Sequence, residues 1–175
     1  MADSPTVIDD FLPEVDFNRM LDLLHENIYR PVPFTVADGQ GESLYNVNFQ
    51  AILFDQKDNE FLQSELFYLL YPLLNKLEAK KLWVARLNCT TATRFRMEGK
   101  FHRDMANREN LTTACFYLND NNGGTQFSNG SFVQSKANRV VIFPEPTLHA
   151  GVWCTDTKLR YVLNLNYEKK WQMSV

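Results

Sequence analysis

The chain has 175 residues, a length that suits one domain with a sizeable core. Apolar residues make up 45% and charged residues 22%, as in ordinary globular proteins. The net charge of −3 gives no reason to expect a nucleic-acid partner, and no apolar run is long enough to span a membrane. Three widely spaced cysteines and an N-terminus without an apolar segment predict reduced thiols and a cytoplasmic protein.

The first half of the chain predicts two helices among short strands. A strand opens at Val7, and Pro13 stands where the first turn of a helix can begin. The apolar stripe of this helix ends at Ile28, and His25 lies off the stripe, so we interpret His25 as a surface residue. Pro72 predicts a kink or restart in the second helix. The further predicted elements are a loop at 36–43, a strand at 44–54, the second helix at 58–78 and a strand at 82–87.

Short strand-like runs separated by turn signals fill the second half. They cover residues 99–105, 111–118, 124–127, 131–134, 139–143, 148–154 and 160–167. Many short strands at this spacing predict a sandwich, barrel or jelly roll, because alternating βαβ units would need a helix between successive strands. The simplest organisation is a single domain over 1–175, with helical support from 1–81 and a β core over roughly 82–168.

Two of the three histidines stand in a pattern typical of metal binding. His102 and Asp104 form a His-x-Asp motif, and His149 follows later in the chain. Side chains two residues apart on an extended segment point to the same side, so His102 and Asp104 can share one site. Two imidazoles and one carboxylate form the facial triad of non-haem Fe(II) oxygenases. The sequence therefore predicts a metal site formed by these three residues.

The strand predicted at 160–167 separates an apolar face from a mostly polar one. The apolar face carries Tyr161, Leu163, Leu165 and Tyr167. The other face carries Arg160, Val162, Asn164 and Asn166. If this second face lines a cavity, Arg160 and Asn164 can hold an anionic ligand, because a guanidinium fork suits a carboxylate. The alternative is a face in contact with solvent. For Tyr117, strand period alone favours an aromatic side chain at the edge of the core.

Six segments occur in a recognisable order and spacing. They are Phe101-His-Arg-Asp-Met105, Phe116-Tyr-Leu-Asn119, Gly123-Gly-Thr-Gln-Phe127, Arg139-Val-Val-Ile-Phe143, His149 and Arg160-Tyr-Val-Leu-Asn164. Together with the opening at 7–13, they resemble the 2-oxoglutarate- and Fe(II)-dependent dioxygenases, specifically the prolyl 4-hydroxylase-like branch. The resemblance implies a mainly β (α+β) chain with a double-stranded β-helix (jelly-roll) core and N-terminal flanking helices.

The same resemblance implies a set of roles. The triad would bind Fe(II), Arg160 would pair with the distal carboxylate of 2-oxoglutarate, Tyr117 would donate to that carboxylate, and Asn164 would line the same wall. O₂ would be the second cosubstrate, with ascorbate as a candidate reductant. The implied reaction hydroxylates a C–H bond of a small molecule or peptide, such as a prolyl residue or a free amino acid, and releases succinate and CO₂.

The chain departs from the family pattern at three places. The strand before His-x-Asp lacks the usual tyrosine near the cosubstrate, and Asn88 or Arg86 must take its place. Lys158 competes with Arg160 as the anion ligand, although the register of the segment favours Arg160. The loop at 89–99 is longer than usual and is predicted to be mobile and to govern specificity. Its alternative is a fixed excursion packed by Phe95 and Met97.

Two other functions stay open. A cupin-like metal-binding jelly roll without oxygenase activity would keep the histidines but would not need Arg160. A nucleic-acid demethylase of the same superfamily would use the basic residues around the motif and would need a nucleotide-recognition lid. Trp153 and Trp171 could line a substrate groove, although buried aromatic residues are commoner.

Overall fold

The computed structural model of the chain describes residues 4–28, 35–37, 48–56, 64–105, 108 and 110–169. In these ranges the helices are α1 (Glu14–Ile28) and α2 (Ser64–Lys76). The strands are β1 (Thr6–Ile8), β2 (Thr35–Ala37), β3 (Asn48–Asp55), β4 (Ala79–Thr91), β5 (Thr112–Tyr117), β6 (Gly124–Phe127), β7 (Phe132–Gln134), β8 (Arg139–Pro144), β9 (His149–Val152) and β10 (Leu159–Lys169). Neither helix is long and apolar enough to cross a membrane.

The strands form two antiparallel sheets. The larger sheet has the order β1-β8-β5-β10-β4-β3-β2, and the smaller has the order β7-β6-β9. Isolated bridges from Glu98 to Val152 and from His102 to His149 extend the smaller sheet beyond β9. From β5 to β10 the chain passes repeatedly between the two sheets, which is the path of a double-stranded β-helix. The predicted jelly roll with N-terminal helices is confirmed.

Two apolar clusters cover the two faces of the larger sheet. On the outer face, Phe11 and Phe17 contact the ring of Phe116 edge-on, and both helices pack there. The apolar residues of β10 predicted from their alternation, Leu163 and Leu165 among them, belong to this cluster. The inner cluster joins the two sheets and contains Cys115, Tyr117, Phe127, Val133, Val141, Phe143 and Val162. The polar residues of the inner face are therefore enclosed between the sheets.

Tertiary pairing moves several predicted boundaries. Residues 36–37, predicted as loop, belong to β2 because they pair with β3. β4 extends to Thr91, since it has a hydrogen-bonded neighbour on each side, so the loop predicted to begin at 89 begins later. The segment 99–105 makes only the bridge at His102 and bends at Asp104, so it is not a strand. α2 continues through Pro72 without a restart. The predictions for 38–47 and 58–63 lie outside the described residues.

Asn138 joins the N-terminal segment to the turn before β8. Its backbone has a φ of +60°, in the left-handed region that asparagine tolerates. Its side chain accepts a hydrogen bond from the Leu12 amide and donates one to the Leu12 carbonyl, both at 2.8 Å. Its carbonyl accepts from the Phe11 amide at 2.8 Å. One buried residue thus satisfies three backbone groups of the segment that leads into α1.

Replacing Asn138 with Ala is expected to lower the free energy of unfolding by roughly 2–4 kcal/mol. Two buried backbone groups of Leu12 would lose their partners, and a Cβ residue other than Asn or Asp is strained at this φ. Urea unfolding measures the change. Asn138→Gly relieves the backbone strain but does not restore the two side-chain hydrogen bonds. It should therefore recover only part of the lost free energy of unfolding. An Ala variant within about 0.5 kcal/mol of the wild type would contradict this role.

Candidate active site

His102, Asp104 and His149 converge on one point between the sheets. The amide of each histidine donates to the carbonyl of the other, at 2.9 and 3.1 Å, which fixes the two backbones side by side. Oδ1 of Asp104 lies 3.6 Å from Nε2 of His102 and 3.7 Å from Nε2 of His149. The ligand atoms of the three residues lie within 4.8 Å of one another. This spacing fits a single metal ion bound on one face.

The other ring nitrogens of the two histidines face backbone carbonyls. Nδ1 of His102 lies 3.0 Å from the Lys100 carbonyl, and Nδ1 of His149 lies 3.1 Å from the Thr147 carbonyl. Because a carbonyl can only accept, each Nδ1 carries the proton and each Nε2 keeps a lone pair. Nε2 of His149 is buried and has no hydrogen-bond partner. A nitrogen, nitrogen and oxygen donor set with such an unpaired atom suits Fe(II).

Asn166 and Thr113 hold the carboxylate of Asp104 in place. Nδ2 of Asn166 donates to Oδ2 of Asp104 at 3.1 Å and to Oγ1 of Thr113 at 3.0 Å. Burial alone would raise the pKa of Asp104, but the hydrogen bond with His102, the positive charge that His149 carries at the acidic pH where Asp104 titrates, and the bond from Asn166 lower it to about 2. The carboxylate is therefore ionised at neutral pH, with Oδ1 turned towards the two imidazoles.

The two histidines differ in their electrostatic surroundings. The hydrogen bond with Asp104 raises the pKa of His102, against the opposing effects of burial and of the Arg86 guanidinium. Burial lowers the pKa of His149, and the nearby Asp104 only partly offsets that effect. His149 is therefore neutral at pH 7, which is the state that a metal ligand requires.

Replacing Asn166 with Ala is expected to weaken Fe(II) binding about 10- to 100-fold, because Asp104 loses the donor that orients it. An anaerobic Fe(II) titration measures the affinity. Thr113→Val is the matched comparison, since it removes the hydroxyl behind Asn166 but leaves the bond to Asp104, and its loss should be smaller. Unchanged affinity in Asn166→Ala would show that Asp104 needs no such support.

The three residues open onto a cavity of about 320 Å³ between the two sheets. The polar face predicted for β10 lines this cavity with Arg160, Asn164 and Asn166. Asn88 and Arg86 of β4 line it as well, so both candidates for the position of the missing tyrosine are present. The inner face of the larger sheet thus carries the polar groups predicted for a ligand site.

Arg160 is a buried cation held from behind. Its side chain is 5% exposed, Nε donates to Oγ of Ser135 at 3.0 Å, and Nη2 donates to the Gly124 carbonyl at 3.1 Å. Position 124 must be glycine, because a Cβ there would lie 2.1 Å from the Val133 carbonyl. No carboxylate among the described residues pairs with Arg160, and burial lowers its pKa. A buried guanidinium without a counter-ion favours an anionic ligand.

Tyr117 and Lys158 do not line the cavity. The Tyr117 hydroxyl is buried and donates to Oγ1 of Thr125 at 2.7 Å, and Thr125 is the residue that reaches the cavity wall. The expected direct contact of Tyr117 with the cosubstrate stays a prediction, and the Arg160 guanidinium lies 5.6 Å from the centre of the Tyr117 ring. Lys158 is exposed. The position of Lys158 outside the cavity favours Arg160 as the anion ligand, in agreement with the register of the segment 160–164.

The segment after β4 runs beside β9 at the mouth of the cavity. The amide of Ala92 donates to the Lys158 carbonyl at 2.9 Å, and the amide of Trp153 donates to the Met97 carbonyl at 3.0 Å. Phe95 is 69% exposed and does not pack this segment, whereas Met97 is half-buried, so the alternative of a fixed excursion stays a hypothesis. Trp153 lines the cavity, and its buried Nε1 has no partner, while Trp171 lies outside the described residues. The predicted mobility of this segment stays a prediction.

Sequence reasoning missed the residues that position the predicted ligands. Ser135 and Gly124 received no role, and Asn166 was only placed on the polar face of its strand. The signal for Asn166 was present in the alternation, because it shares a face with Arg160. Ser135 and Gly124 gave no such signal, because only the packing of the two sheets brings them to the guanidinium.

Solved structures similar to this chain include non-haem alpha-ketoglutarate-dependent enzymes and prolyl hydroxylases. The epimerase SnoN from nogalamycin biosynthesis has a TM-score of 0.67 at 11% identity, over 96% of this chain and 79% of SnoN. A Pseudomonas putida prolyl-4-hydroxylase has a TM-score of 0.58 at 11% identity, over 95% of this chain and 93% of its own. A Trichoplax adhaerens prolyl hydroxylase, solved with a hypoxia inducible factor peptide fragment, has a TM-score of 0.61 at 15% identity, over 95% and 84%.

No family model matches the sequence, and no curated protein matches it. The structural similarity therefore extends over nearly the whole chain. Because the sequence identities are low, this similarity supports the fold and not a particular reaction. The fold of this chain is that of the Fe(II)- and 2-oxoglutarate-dependent oxygenases among its structural neighbours.

Proposed function

We propose that the chain is a non-haem Fe(II)- and 2-oxoglutarate-dependent dioxygenase that hydroxylates a C–H bond of its substrate, with release of succinate and CO₂. The observation that carries this proposal is the pairing of two features in one cavity. Two imidazole Nε2 atoms and a carboxylate oxygen converge there, and no carboxylate within the described ranges pairs with the buried Arg160. A metal ion and a dicarboxylate would satisfy both. A SnoN structure that contains Fe³⁺ and alpha ketoglutarate has a TM-score of 0.68 to this chain.

His102, Asp104 and His149 would hold the iron through Nε2, Oδ1 and Nε2. When bound, the iron would supply the activation of O₂ that couples oxidative decarboxylation of 2-oxoglutarate to hydroxylation, with ascorbate as a candidate reductant. Three protein ligands on one face leave the opposite positions for the cosubstrates. The side chains of the three residues supply the lone pairs for the metal. The hydrogen bonds from Asn166 to Asp104 and from each Nδ1 to a backbone carbonyl fix the orientation of these side chains.

Arg160 would bind the distal carboxylate of 2-oxoglutarate. Its Nε and Nη2 are committed to Ser135 and Gly124, so the guanidinium is pre-oriented and loses little freedom on binding. Asn164 and Asn88 would lie along the same cosubstrate, and Oδ1 of Asn164 is buried without a partner. Val162 and Cys115 line the wall near Arg160 and make it partly apolar, which helps to exclude water around the ion pair.

The size of the cavity favours a small molecule or one side chain of a peptide as substrate. Its volume of about 320 Å³ lies at the lower end of the range for small-molecule pockets, roughly 300–1,000 Å³, and it must also hold the cosubstrate. A prolyl residue or a free amino acid would fit this class. We keep the expectations of one domain over 1–175, of a cytoplasmic location and of no nucleic-acid partner as parts of the same proposal.

The test is anaerobic addition of Fe(II) and then 2-oxoglutarate, with binding followed by calorimetry and by visible absorption. O₂ is then admitted, and succinate release is measured with and without candidate substrates. Stimulation of succinate release by a substrate, together with its hydroxylated product, would support the proposal. A protein that binds Fe(II) but not 2-oxoglutarate would be the metal-binding jelly roll of the alternative reading. That alternative gives no reason for the buried unpaired guanidinium at Arg160.

A further inference from the structure

Arg86 is a second guanidinium in the same cavity. It lies on β4 between Ile52 of β3 and Asn164 of β10 in the larger sheet. Its Nε is buried and has no hydrogen-bond partner, and the same is true of Oδ1 of Asn164 beside it. None of the carboxylates in the described ranges forms an ion pair with Arg86. A buried donor without an acceptor destabilises the folded protein, unless a bound ligand accepts its hydrogen bond.

Arg86 and Arg160 serve different parts of the cavity. Arg160 pairs with Thr90 across the sheet and Asn164 pairs with Arg86, so the two arginines are four strand positions apart, about 13 Å along the backbone. Asn164 is two residues from Asn166, which holds the metal-site carboxylate of Asp104. Arg86 therefore lies towards the metal end of the cavity, and the cosubstrate carboxylate bound by Arg160 cannot also satisfy it.

The charges that line the cavity do not balance. Among the described residues, the lining contains four cations, Arg86, Lys100, Arg103 and Arg160, against one carboxylate, Asp104. A ferrous ion and a 2-oxoglutarate dianion cancel each other, and Asp104 cancels Arg160. Lys100 and Arg103 are exposed at the rim, and Arg103 also lies within electrostatic reach of Glu145. Arg86 remains as the positive charge inside the cavity that no carboxylate in the described part of the chain offsets.

The surroundings of Arg86 are polar and partly fixed. Oδ1 of Asn88 accepts hydrogen bonds from Asn48 at 3.3 Å and from Gln50 at 3.0 Å, which sets the orientation of these amides on β3 and β4. Oδ1 of Asn48 and Oγ1 of Thr90 are buried without partners. Asn48 and Thr90 pair with each other in the row of Arg160, so the unpaired polar atoms in the row of Arg86 are its own Nε and Oδ1 of Asn164.

We propose that the primary substrate carries an oxyanion, a carboxylate or a phosphate, and that Arg86 binds this group near the metal. The inference rests on the proposed function, since it assigns the substrate class of the same site. A planar guanidinium fork recognises both kinds of oxyanion in a bidentate way. The anionic end of the substrate would be fixed at β3 and β4, and a neighbouring C–H bond would then face the metal.

The test uses protein loaded with Mn(II) and 2-oxoglutarate, in which Mn(II) replaces Fe(II) and no turnover occurs. The probes are matched pairs: N-acetyl amino acids against their amides, and alkyl phosphates against the parent alcohols. Thermal unfolding shifts screen the pairs, and calorimetry gives Kd. We expect at least one anion to bind ten-fold or more tightly than its neutral partner, and the type of pair distinguishes carboxylate from phosphate.

Arg86→Gln should abolish that preference and leave the Kd for 2-oxoglutarate within about three-fold of the wild type. Arg86→Lys keeps the charge but not the bidentate guanidinium, so it should retain part of the preference for the anion. A retained preference in this variant would show that the loss in Arg86→Gln is not due to misfolding. Arg94→Gln is the matched control, since Arg94 is exposed and does not line the cavity. This control should change nothing.

Three results would overturn the proposal. The first is that no anion binds better than its neutral partner, and the second is that the preference survives Arg86→Gln. The third is that Arg86→Gln weakens 2-oxoglutarate binding as much as Arg160→Gln does, which would make Arg86 a cosubstrate ligand. Failure of the proposed function is separate, because it appears as absent 2-oxoglutarate binding in the wild type. The preference at Arg86 can still be measured by binding to the Mn(II) protein alone.

Discussion

Replacing Arg160 with Gln is expected to weaken 2-oxoglutarate binding from about 30-fold to several thousand-fold while Fe(II) binding is kept. Loss of one partner from a buried, hydrogen-bonded charge pair costs roughly 2–5 kcal/mol, and each 1.4 kcal/mol is a factor of ten. Arg160 is 5% exposed and held by Ser135 and Gly124, so its loss removes a buried donor that is already oriented for the carboxylate. Iron affinity should be unaffected, because Arg160 touches none of the three ligands.

Calorimetry with Mn(II)-loaded protein under nitrogen measures this change. Lys158→Gln is the matched control, because Lys158 is the other cation of the segment and is exposed outside the cavity. It should leave the Kd unchanged. If Lys158→Gln weakens 2-oxoglutarate binding and Arg160→Gln does not, the anion ligand has been assigned to the wrong residue.

Replacing His102 with Ala is expected to reduce Fe(II) affinity by more than about 100-fold and to abolish turnover. The loss of affinity should exceed that of Asn166→Ala, because His102 would bind the metal directly, whereas Asn166 only orients the ligand Asp104. His102 is the safer of the two histidines for this test, since its side chain is 36% exposed, whereas that of His149 is 4% exposed and packs on Phe143. Folding should therefore survive the substitution.

An anaerobic Fe(II) titration and the absorption band formed with 2-oxoglutarate provide the measurement. His25→Ala is the matched control, since His25 is the third histidine of the sequence, belongs to α1 and is not one of the predicted ligands. Thermal unfolding of the apo-protein checks that both variants fold. Undiminished Fe(II) binding in folded His102→Ala would show that the convergence of the three side chains is not a metal site.

The sequence alone determined the features that depend on local periodicity. Alternation separated the polar and apolar faces of β10, and the structure confirms both faces, with Leu163 and Leu165 in the core and Arg160 and Asn164 at the cavity. The two-residue spacing of His102 and Asp104 predicted one shared side even though this segment is not a regular strand. An extended backbone turns alternate side chains the same way whether or not it is paired.

Only the tertiary structure decided which polar groups meet and which remain unpaired. Periodicity placed Tyr117 at the edge of the core and left Arg160 either in a cavity or in solvent; in the structure the Tyr117 hydroxyl donates to Thr125 and Arg160 lines the cavity. The support of Asp104 by Asn166 joins residues 62 positions apart, and the clamp on Arg160 joins β10 to Ser135 and Gly124 across the two sheets. Such contacts follow from how the sheets pack, and so does the lack of a carboxylate partner for Arg86 and Arg160 among the residues that the structure describes. Local sequence carries no record of these partners, because hydrogen bonding and ion pairing depend on distances that only the folded chain sets.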